Sequence, residues 1–320
     1  MLSETALVWI GFNLFVLVLL AVDLGLVHRT AHAVSPREAL RWTGVWVALA
    51  VLFGVGVYFW HGTQPALEFF AGYLVEYSLS ADNVFVFVLI FTFFAVPAAY
   101  QHRVLFWGII GALVLRGAMI VAGAALLEAF HWLIYLFGAF LIVTGVRMAL
   151  HREAAVHPEQ NLLVRLVRRV LPVTKDYEGE HFFVRRAGRL LATPLFVVLL
   201  VITTADLIFA LDSIPAIFGV TRDPFIVYTS NVFAILGLRS LYFVLAGAVA
   251  KFHYLQVGLA AVLTFVGAKM VVSGVYHLPV AASLAVIVLI LGIAIAASLL
   301  RERALRRAAG AGRPAPAEGS

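Results

Sequence analysis

Two apolar stretches of the chain each contain a pair of acidic residues. GYLVEYSLSADNVFVFVLIF contains Glu76 and Asp82, and TTADLIFALDSIPAIF contains Asp206 and Asp212. A charged side chain in a hydrocarbon environment costs at least a few kcal/mol on insertion scales. Each carboxylate therefore needs a cation, a proton or a basic side chain as its partner.

The residue types in these stretches indicate which ion could bind there. Carboxylates, amides, hydroxyls and backbone carbonyls are hard ligands that suit Mg²⁺, Ca²⁺ or Mn²⁺. Zinc or copper would favour Cys or His, but the chain has no Cys, and its ten His fall in loops or near the ends of apolar segments. Two alternatives stay open: static ion pairs with Arg116 and Arg239, or proton binding alone.

The two stretches are related by an internal repeat. Three polar positions align: Glu76 with Asp206, Asp82 with Asp212, and Asn83 with Ser213. Basic residues downstream also align: Arg116 of GALVLRGAM with Arg239 of FAILGLRSL, and Arg147 of TGVRM with Lys269 of VGAKM. Each copy holds three apolar segments, an odd number, so the second copy starts from the opposite side of the membrane. This pattern predicts an inverted repeat whose acids converge near the membrane midplane.

The elements that carry these residues are predicted to be membrane-spanning helices. The chain has 320 residues, 63% of them hydrophobic, whereas soluble domains are about 45–50% apolar. Apolar runs long enough to cross a hydrocarbon core of about 30 Å recur along the whole chain. We therefore predict an all-α polytopic membrane protein of about nine transmembrane helices, in which spans 3–5 and 6–8 form the inverted repeat. The predicted spans are residues 6–27, 42–60, 66–95, 103–127, 131–150, 192–219, 224–248, 254–275 and 279–300.

The basic residues segregate to one side of this topology. With loops assigned alternately to the two sides, one side receives only Arg222. The other side receives Arg29, Arg37, Arg41, Arg103, Lys251, the segment 151–190 and the Arg301–Arg307 tail. The positive-inside rule then places the amino terminus in the periplasm and the carboxyl terminus in the cytoplasm. The net charge of +6 therefore indicates topology and attraction to anionic lipid, and we predict no nucleic-acid partner.

The chain is predicted to form one membrane transport domain, residues 1–308, followed by a disordered cytoplasmic tail, residues 309–320. Within the basic cytoplasmic loop 151–190, the stretch NLLVRLVRRVLP has apolar residues at helical spacing and ends at Pro172. This pattern predicts an amphipathic helix on the membrane surface. The loop could serve as a surface-anchored connector or could have a regulatory role.

Helix geometry limits how the acids can converge. Residues six apart differ by about 600° of rotation, so Glu76 and Asp82 do not share a face of a regular helix. The stretch SLSADN is rich in residues that compete for backbone hydrogen bonds, and Pro215 removes a backbone donor and would leave the carbonyl of Leu211 free. We therefore expect both helices to loosen near the acids.

Three long motifs resemble the TerC family of integral membrane proteins. They are AGYLVEYSLSADNVFVF, TPLFVVLLVITTADLIFALDSIPAIF and TRDPFIVYTSNVFAILGLRSLYF. The resemblance covers essentially the whole membrane portion and implies a bacterial inner-membrane protein. Several relatives in the family export manganese, and the resemblance also implies kinship with small inverted-repeat exporters of cations and amino acids. The family takes its name from tellurium-resistance operons.

The resemblance also implies a set of ligands. Carried over by position, the metal ligands are Glu76, Asp82, Asn83, Asp206, Asp212, Ser213 and Asn231. Arg116 and Arg239 are expected to compensate their charge when the metal is absent. Many relatives carry Glu three residues before the position of Asp206, where this chain has Thr203, so the resemblance does not set the number of acidic ligands.

We therefore expect a transporter that exports a divalent cation, most simply Mn²⁺, from the cytoplasm without a prosthetic group. Neighbouring carboxylates favour protonation of one another, so proton exchange is the expected coupling. The expected partners are the metal ion, protons and membrane lipids. The alternative is a non-transporting membrane partner in stress or tellurite resistance or in protein insertion, for which the basic loop would be the docking surface. An enzyme is not expected, because the sequence contains no zinc-protease His-Glu motif, nucleophile elbow or phosphate-binding glycine loop.

The charge segregation yields a first prediction. A topology reporter fused at residue 170 should be cytoplasmic, and reporters fused at the amino terminus or in the 61–65 turn should be periplasmic. A periplasmic signal at residue 170 would overturn both the topology and the inverted repeat.

Overall fold

The structure, a computed structural model, describes residues 4–22, 35–150, 172–186, 189–246, 254–276 and 278–311. Within these ranges the chain forms ten α-helices and one antiparallel β-hairpin. The elements are α1 (Glu4–Val22), α2 (Pro36–His61), α3 (Thr63–Phe93), α4 (Ala98–Ala129), α5 (Leu133–Leu150), β1 (Phe183–Arg186), β2 (Arg189–Ala192), α6 (Pro194–Phe218), α7 (Pro224–Leu236), α8 (Leu238–Ala246), α9 (Leu255–Val272) and α10 (Val280–Ala311).

The helices confirm the prediction of an all-α polytopic membrane protein. Among the described residues, seven helices are long and apolar enough to cross a membrane: α2 to α6, α9 and α10. The pair α7 and α8 forms an eighth candidate span, which is bent by 41° at Gly237. The first predicted span, 6–27, runs past the end of α1 into residues outside the described ranges, so the count of nine stays a prediction.

Two of the membrane helices begin at a polar cap followed by proline. Ser35 caps α2 by accepting a hydrogen bond from the backbone N–H of Glu38. Asp223 caps α7 by accepting from the backbone N–H groups of Phe225 and Ile226, at 2.8 and 3.4 Å. Such caps satisfy backbone donors that the first turn leaves unpaired, and proline is tolerated in that turn. Helices α2 and α7 therefore begin at defined residues.

Helices α5 and α9 approach each other through glycine. A Cβ atom on Gly138 would lie 2.8 Å from the carbonyl oxygen of Gly267, and one on Gly267 would lie 2.6 Å from that of Gly138. A second close approach brings Gly145 against the backbone of Ala260, at 2.7 Å by the same construction. Only glycine permits backbones this close, as at small-residue crossings of other membrane helices.

These two contacts are related to each other in the way that an inverted repeat requires. Helices α5 and α9 both have 18 residues, and a shift of 122 positions carries Leu133 to Leu255 and Leu150 to Val272. The same shift carries Gly138 to Ala260 and Gly145 to Gly267. When the two helices are exchanged by this shift, the contact of Gly138 with Gly267 maps onto the contact of Ala260 with Gly145. This reciprocity supports the predicted repeat.

A β-hairpin that the sequence analysis did not predict closes one end of the bundle. Tyr177, just before it, donates a hydrogen bond to the carbonyl oxygen of Phe94 at the end of α3, at 2.7 Å. Arg103 of α4 forms an ion pair with Glu180 at 3.1 Å. Burial raises the pKa of Tyr177 to about 12, so the phenol stays protonated and keeps its bond to Phe94 below that pH.

Two parts of the predicted organisation fall mainly outside the described residues. The predicted amphipathic helix NLLVRLVRRVLP lies outside them except for Pro172. Of the predicted disordered tail 309–320, the first three residues continue α10 as helix to Ala311, and the rest lie outside the described ranges. The domain boundary at residue 308 therefore stays a prediction.

The packing of α5 against α9 generates a second prediction. Replacing Gly145 by Ala places a methyl group against the backbone of Ala260 and the hydroxyl of Thr264. We expect Gly145→Ala to lower the thermal unfolding temperature of the detergent-solubilised protein, because overpacking costs about 1–3 kcal/mol. Gly56→Ala in α2 is the matched control, because a Cβ there would meet nothing within 4 Å. Equal unfolding temperatures for the two variants would contradict the close approach.

Candidate cation site

The two helices that carry the predicted acids pack against each other inside the bundle. Helix α3 contacts α6 and α7, and α4 lies against α6. Glu76 of α3 is fully buried, and Asp206 of α6 is 3% exposed. The structure thus brings one acid from each copy of the repeat into the same part of the protein interior.

Arg116 of α4 joins these two acids. Its Nε and Nη2 atoms donate to the two carboxylate oxygens of Asp206, at 3.1 and 2.8 Å. Its Nη1 atom donates to Oε1 of Glu76 and, at 3.1 Å, to Oγ of Ser213. The guanidinium is 1% exposed. A planar guanidinium matches a carboxylate bidentately, so Asp206 and Arg116 are held in a fixed relative orientation.

Uninterrupted helices determine which residues share a face. Helix α3 is continuous over Thr63–Phe93 and α6 over Pro194–Phe218, with Pro215 in its last turn. The expectation that both helices loosen near the acids is therefore wrong. Residues seven apart differ by about 700°, nearly two full turns. Asp206 and Ser213 accordingly face Arg116 together.

Asn83 follows Glu76 at the same spacing of seven, and its side chain is buried. Ser80, one turn after Glu76, lies 3.4 Å from Oε1 of Glu76 as a hydroxyl donor. The sequence analysis did not single out Ser80 as a site residue. Its spacing of four from Glu76 was the available signal, because residues four apart in a helix are neighbours.

The second acid of each pair has a different environment. Asp212 is partly buried and accepts a hydrogen bond from the hydroxyl of Thr144 on α5, at 3.4 Å. It therefore faces α5, whereas Asp206 faces Arg116. Asp82 lies on α3, but its side chain is outside the described part of the structure. The predicted convergence of Asp82 and Asp212 stays a prediction.

Two of the predicted ligands are buried with side-chain atoms that make no hydrogen bond to another described residue. Oε2 of Glu76 and both side-chain polar atoms of Asn231 have no hydrogen-bond partner within the described residues. Asn231 lies on α7 and is 1% exposed. Leaving such an atom unpaired costs about 1–3 kcal/mol. Two of these atoms are oxygens, the ligand type that hard cations bind.

Arg239 shares a cavity with Asp206. Both residues line a small cavity with Gly108, and it has room for roughly one water molecule. Arg239 is buried on α8, two residues after the bend at Gly237. A Cβ atom at Gly237 would make ordinary van der Waals contacts with Tyr77 and Trp46, at 3.4 and 3.5 Å. The sequence analysis placed helix breaks in spans 3 and 6, whereas the break in the described residues is in span 7.

With every group ionised, the formal charges of the site's side chains do not cancel. Glu76 and Asp206 with Arg116 carry a net charge of −1. Asp212 and Arg239 add one charge of each sign. Among the side chains that the structure describes, no group of three His, Asp or Glu is arranged as a metal site, and Asp82 is not one of those side chains.

Comparison with known proteins identifies the family. Residues 61–306 match the integral membrane protein TerC family. A protein of Myxococcus xanthus, "Uncharacterized membrane protein STKORF319", is 57% identical over 92% of this chain and 92% of its own length. The "Putative membrane-bound redox modulator Alx" of Escherichia coli K12 is 49% identical over 88% of this chain and 91% of its own length. No solved structure matches. The chain therefore belongs to the TerC family of integral membrane proteins.

Proposed function

We propose that the protein exports a divalent metal cation from the cytoplasm, with Mn²⁺ as its principal substrate. The observation that carries the proposal is the buried bridge from Arg116 to Glu76 and Asp206, which come from the two copies of the repeat. A transporter needs a cation site near the midplane that both halves of the protein build together. In this proposal the membrane is the bacterial inner membrane, with the amino terminus in the periplasm.

In this mechanism Arg116 serves as an internal substitute for the transported ion. Its guanidinium occupies the position between Glu76 and Asp206 and neutralises part of their charge. A divalent cation that reached these carboxylates would supply more positive charge than the guanidinium. Arg116 would then withdraw, and its withdrawal would release Oε1 of Glu76 and both oxygens of Asp206 for the ion.

Further buried oxygen atoms of the protein interior are candidate ligands. Oε2 of Glu76 and Oδ1 of Asn231 are buried and make no hydrogen bond within the described residues. Ser213 would be released by Arg116 at the same time as the acids. Carboxylate, amide and hydroxyl oxygens form the set that Mn²⁺, Mg²⁺ and Ca²⁺ accept. The choice of Mn²⁺ rests on the family resemblance.

Protons are the proposed counter-ion. Asp82 and Asp212 are two further acids of the same helices, and neighbouring carboxylates favour protonation of one another. Binding of a divalent cation from the cytoplasm would release these protons to the cytoplasm, and reprotonation of the acids from the periplasm after the ion has left would let the inward proton gradient drive export. The expected stoichiometry is at least one proton per metal ion.

The Alx relatives are named as redox modulators. Metal export is compatible with that name even if the protein has no redox-active side chain. The sequence contains no Cys, so thiol exchange cannot be carried out by residues of this chain. Movement of a redox-active metal ion would alter the redox state of a cell by another route. We propose no separate role in tellurite resistance, because only the family name points to one.

The site can be tested by metal transport. Purified protein in liposomes that contain a metal-sensitive dye should carry Mn²⁺ down an imposed gradient, and a panel with Mg²⁺ and Ca²⁺ should define the preference. We expect Asp206→Asn and Glu76→Gln each to reduce the Mn²⁺ flux to the level of empty liposomes, because each removes a charge that the ion needs. Asp82→Asn and Asp212→Asn should abolish flux as well.

Glu128→Gln is the matched control, because Glu128 is an exposed carboxylate at the far end of α4. It should transport as the wild type does. Normal flux in the Asp206→Asn variant would refute the site. If replacement of Arg165, Arg168 and Arg169 by Gln abolished function in cells while Asp206→Asn did not, a docking role of the basic loop would replace transport as the explanation.

Arg116 gives a prediction that separates a metal-exchanging role from a static ion pair. Arg116→Met leaves two buried carboxylates uncompensated, so it should lower the unfolding temperature, because removal of one partner of a buried pair costs about 3–5 kcal/mol. Added Mn²⁺ should restore part of that loss, since the ion can replace the guanidinium. Stability unaffected by Mn²⁺ in this variant would favour the static pair. Arg116→Met with Glu76→Gln and Asp206→Asn is the control that should not respond to the metal.

A further inference from the structure

A deep apolar crevice lies between α1, α4 and α7, on the side of α4 that faces away from the cation site. Its volume is roughly 450 Å³. Apart from Asn13 and Tyr228, its lining is formed by apolar side chains and a glycine, among them Leu17, Val114 and Gly117. Leu17 and Val114 are 60% and 68% exposed, so the crevice opens toward the surroundings of the helix bundle.

The surroundings at this depth are the hydrocarbon of the membrane. Along α4 the lining runs from Phe106 to Ala118, which spans about 18 Å at 1.5 Å per residue. Along α1 it runs from Asn13, the middle of that helix, to Ala21 near its carboxyl end, about 12 Å. One leaflet of a hydrocarbon core is about 15 Å thick. The crevice therefore has the length and position of an acyl chain in one leaflet.

The inner end of the crevice does not require a polar ligand. The hydroxyl of Tyr228 donates to Oδ1 of Asn13 at 2.8 Å, and Nδ2 of Asn13 donates to the carbonyl oxygen of Trp9 at 2.9 Å. The Tyr228 hydroxyl, Oδ1 of Asn13 and one N–H of Asn13 are thus paired within the protein, which lowers the cost of covering them with hydrocarbon. A water molecule there would find few hydrogen-bond partners and would lose the hydrogen bonds that it makes in bulk water.

We propose that this crevice binds one acyl chain of a phospholipid from the leaflet at the carboxyl end of α1. The chain fills the space between α1, α4 and α7 and ends against Tyr228 and Gly117. Because Gly117 adjoins Arg116, whose guanidinium reaches α6 on the opposite side, the bound chain supports the helix that positions the site arginine. This binding site does not depend on which ion the protein transports.

The site can be tested with a phosphatidylglycerol that carries a diazirine at the end of one acyl chain. The full-length protein is reconstituted with this lipid, irradiated and mapped by mass spectrometry. We expect cross-links to concentrate on peptides that contain Asn13, Gly117 or Tyr228. Ala118→Phe should lower the yield there severalfold, because the ring fills the crevice. Ala122→Phe is the control, because Ala122 is exposed one turn further along α4 and does not line the crevice.

A second pair of variants keeps the test independent of how well Ala118→Phe folds. Leu17→Trp fills the crevice from α1, whereas Leu14→Trp adds the same side chain at an exposed position of α1 outside the lining. Only Leu17→Trp should reduce the cross-links. Labels spread evenly over all lipid-facing helices, or equal yields in filled and control variants, would overturn the proposal. Absence of cross-links at the crevice in the wild-type protein would overturn it as well, because the crevice would then be covered by another part of the chain.

Discussion

The buried guanidinium of Arg116 is the interaction on which the centre of this protein depends. It ties α4 to both α3 and α6 through Glu76 and Asp206, so three helices from the two copies of the repeat meet at one group. In a low-dielectric interior an uncompensated charge is expensive, so an acid that leaves the guanidinium must bind a proton or another cation. The relative positions of the three helices are therefore coupled to this ion-pair network.

In the proposed mechanism the helices around Arg116 change position, so neighbouring helices must hold the rest of the bundle fixed. Helices α5 and α9 pack closely enough to do so. Their backbones meet at Gly138, Gly145 and Gly267 at distances that leave no room for a Cβ atom. Interiors packed this closely transmit displacement and do not absorb it. The acid-bearing helices lie beside this pair: α6 contacts both α5 and α9, and Asp212 of α6 bonds to Thr144 of α5.

Hydrophobic periodicity and charge were enough to predict the helical membrane fold and to pair the acids with a buried arginine, because both follow from the cost of polar groups in hydrocarbon. It was harder to predict which side chains share a face of each helix, because that depends on whether the helix is continuous. Ser78 bonds to the carbonyl oxygen of Leu74, four residues earlier in its own helix, so the polar stretch of α3 supports the helix where a break was expected. Pro215 is accommodated in the last turn of α6. The hairpin escaped prediction because its four-residue strands are too short to establish an alternating pattern.

A purely structural explanation of the central network meets an energetic objection. Replacing a buried ion pair by well-packed apolar residues is often neutral or stabilising, so stability alone gives little reason to keep two acids and an arginine in a membrane interior. Oε2 of Glu76 and the buried amide of Asn231 also make no hydrogen bond among the described residues, a further cost. A cation that is bound and then released accounts for both features, because it uses the unpaired oxygens when present and requires a substitute charge when absent. In the proposed mechanism Arg116, which is held by two carboxylates, is that substitute.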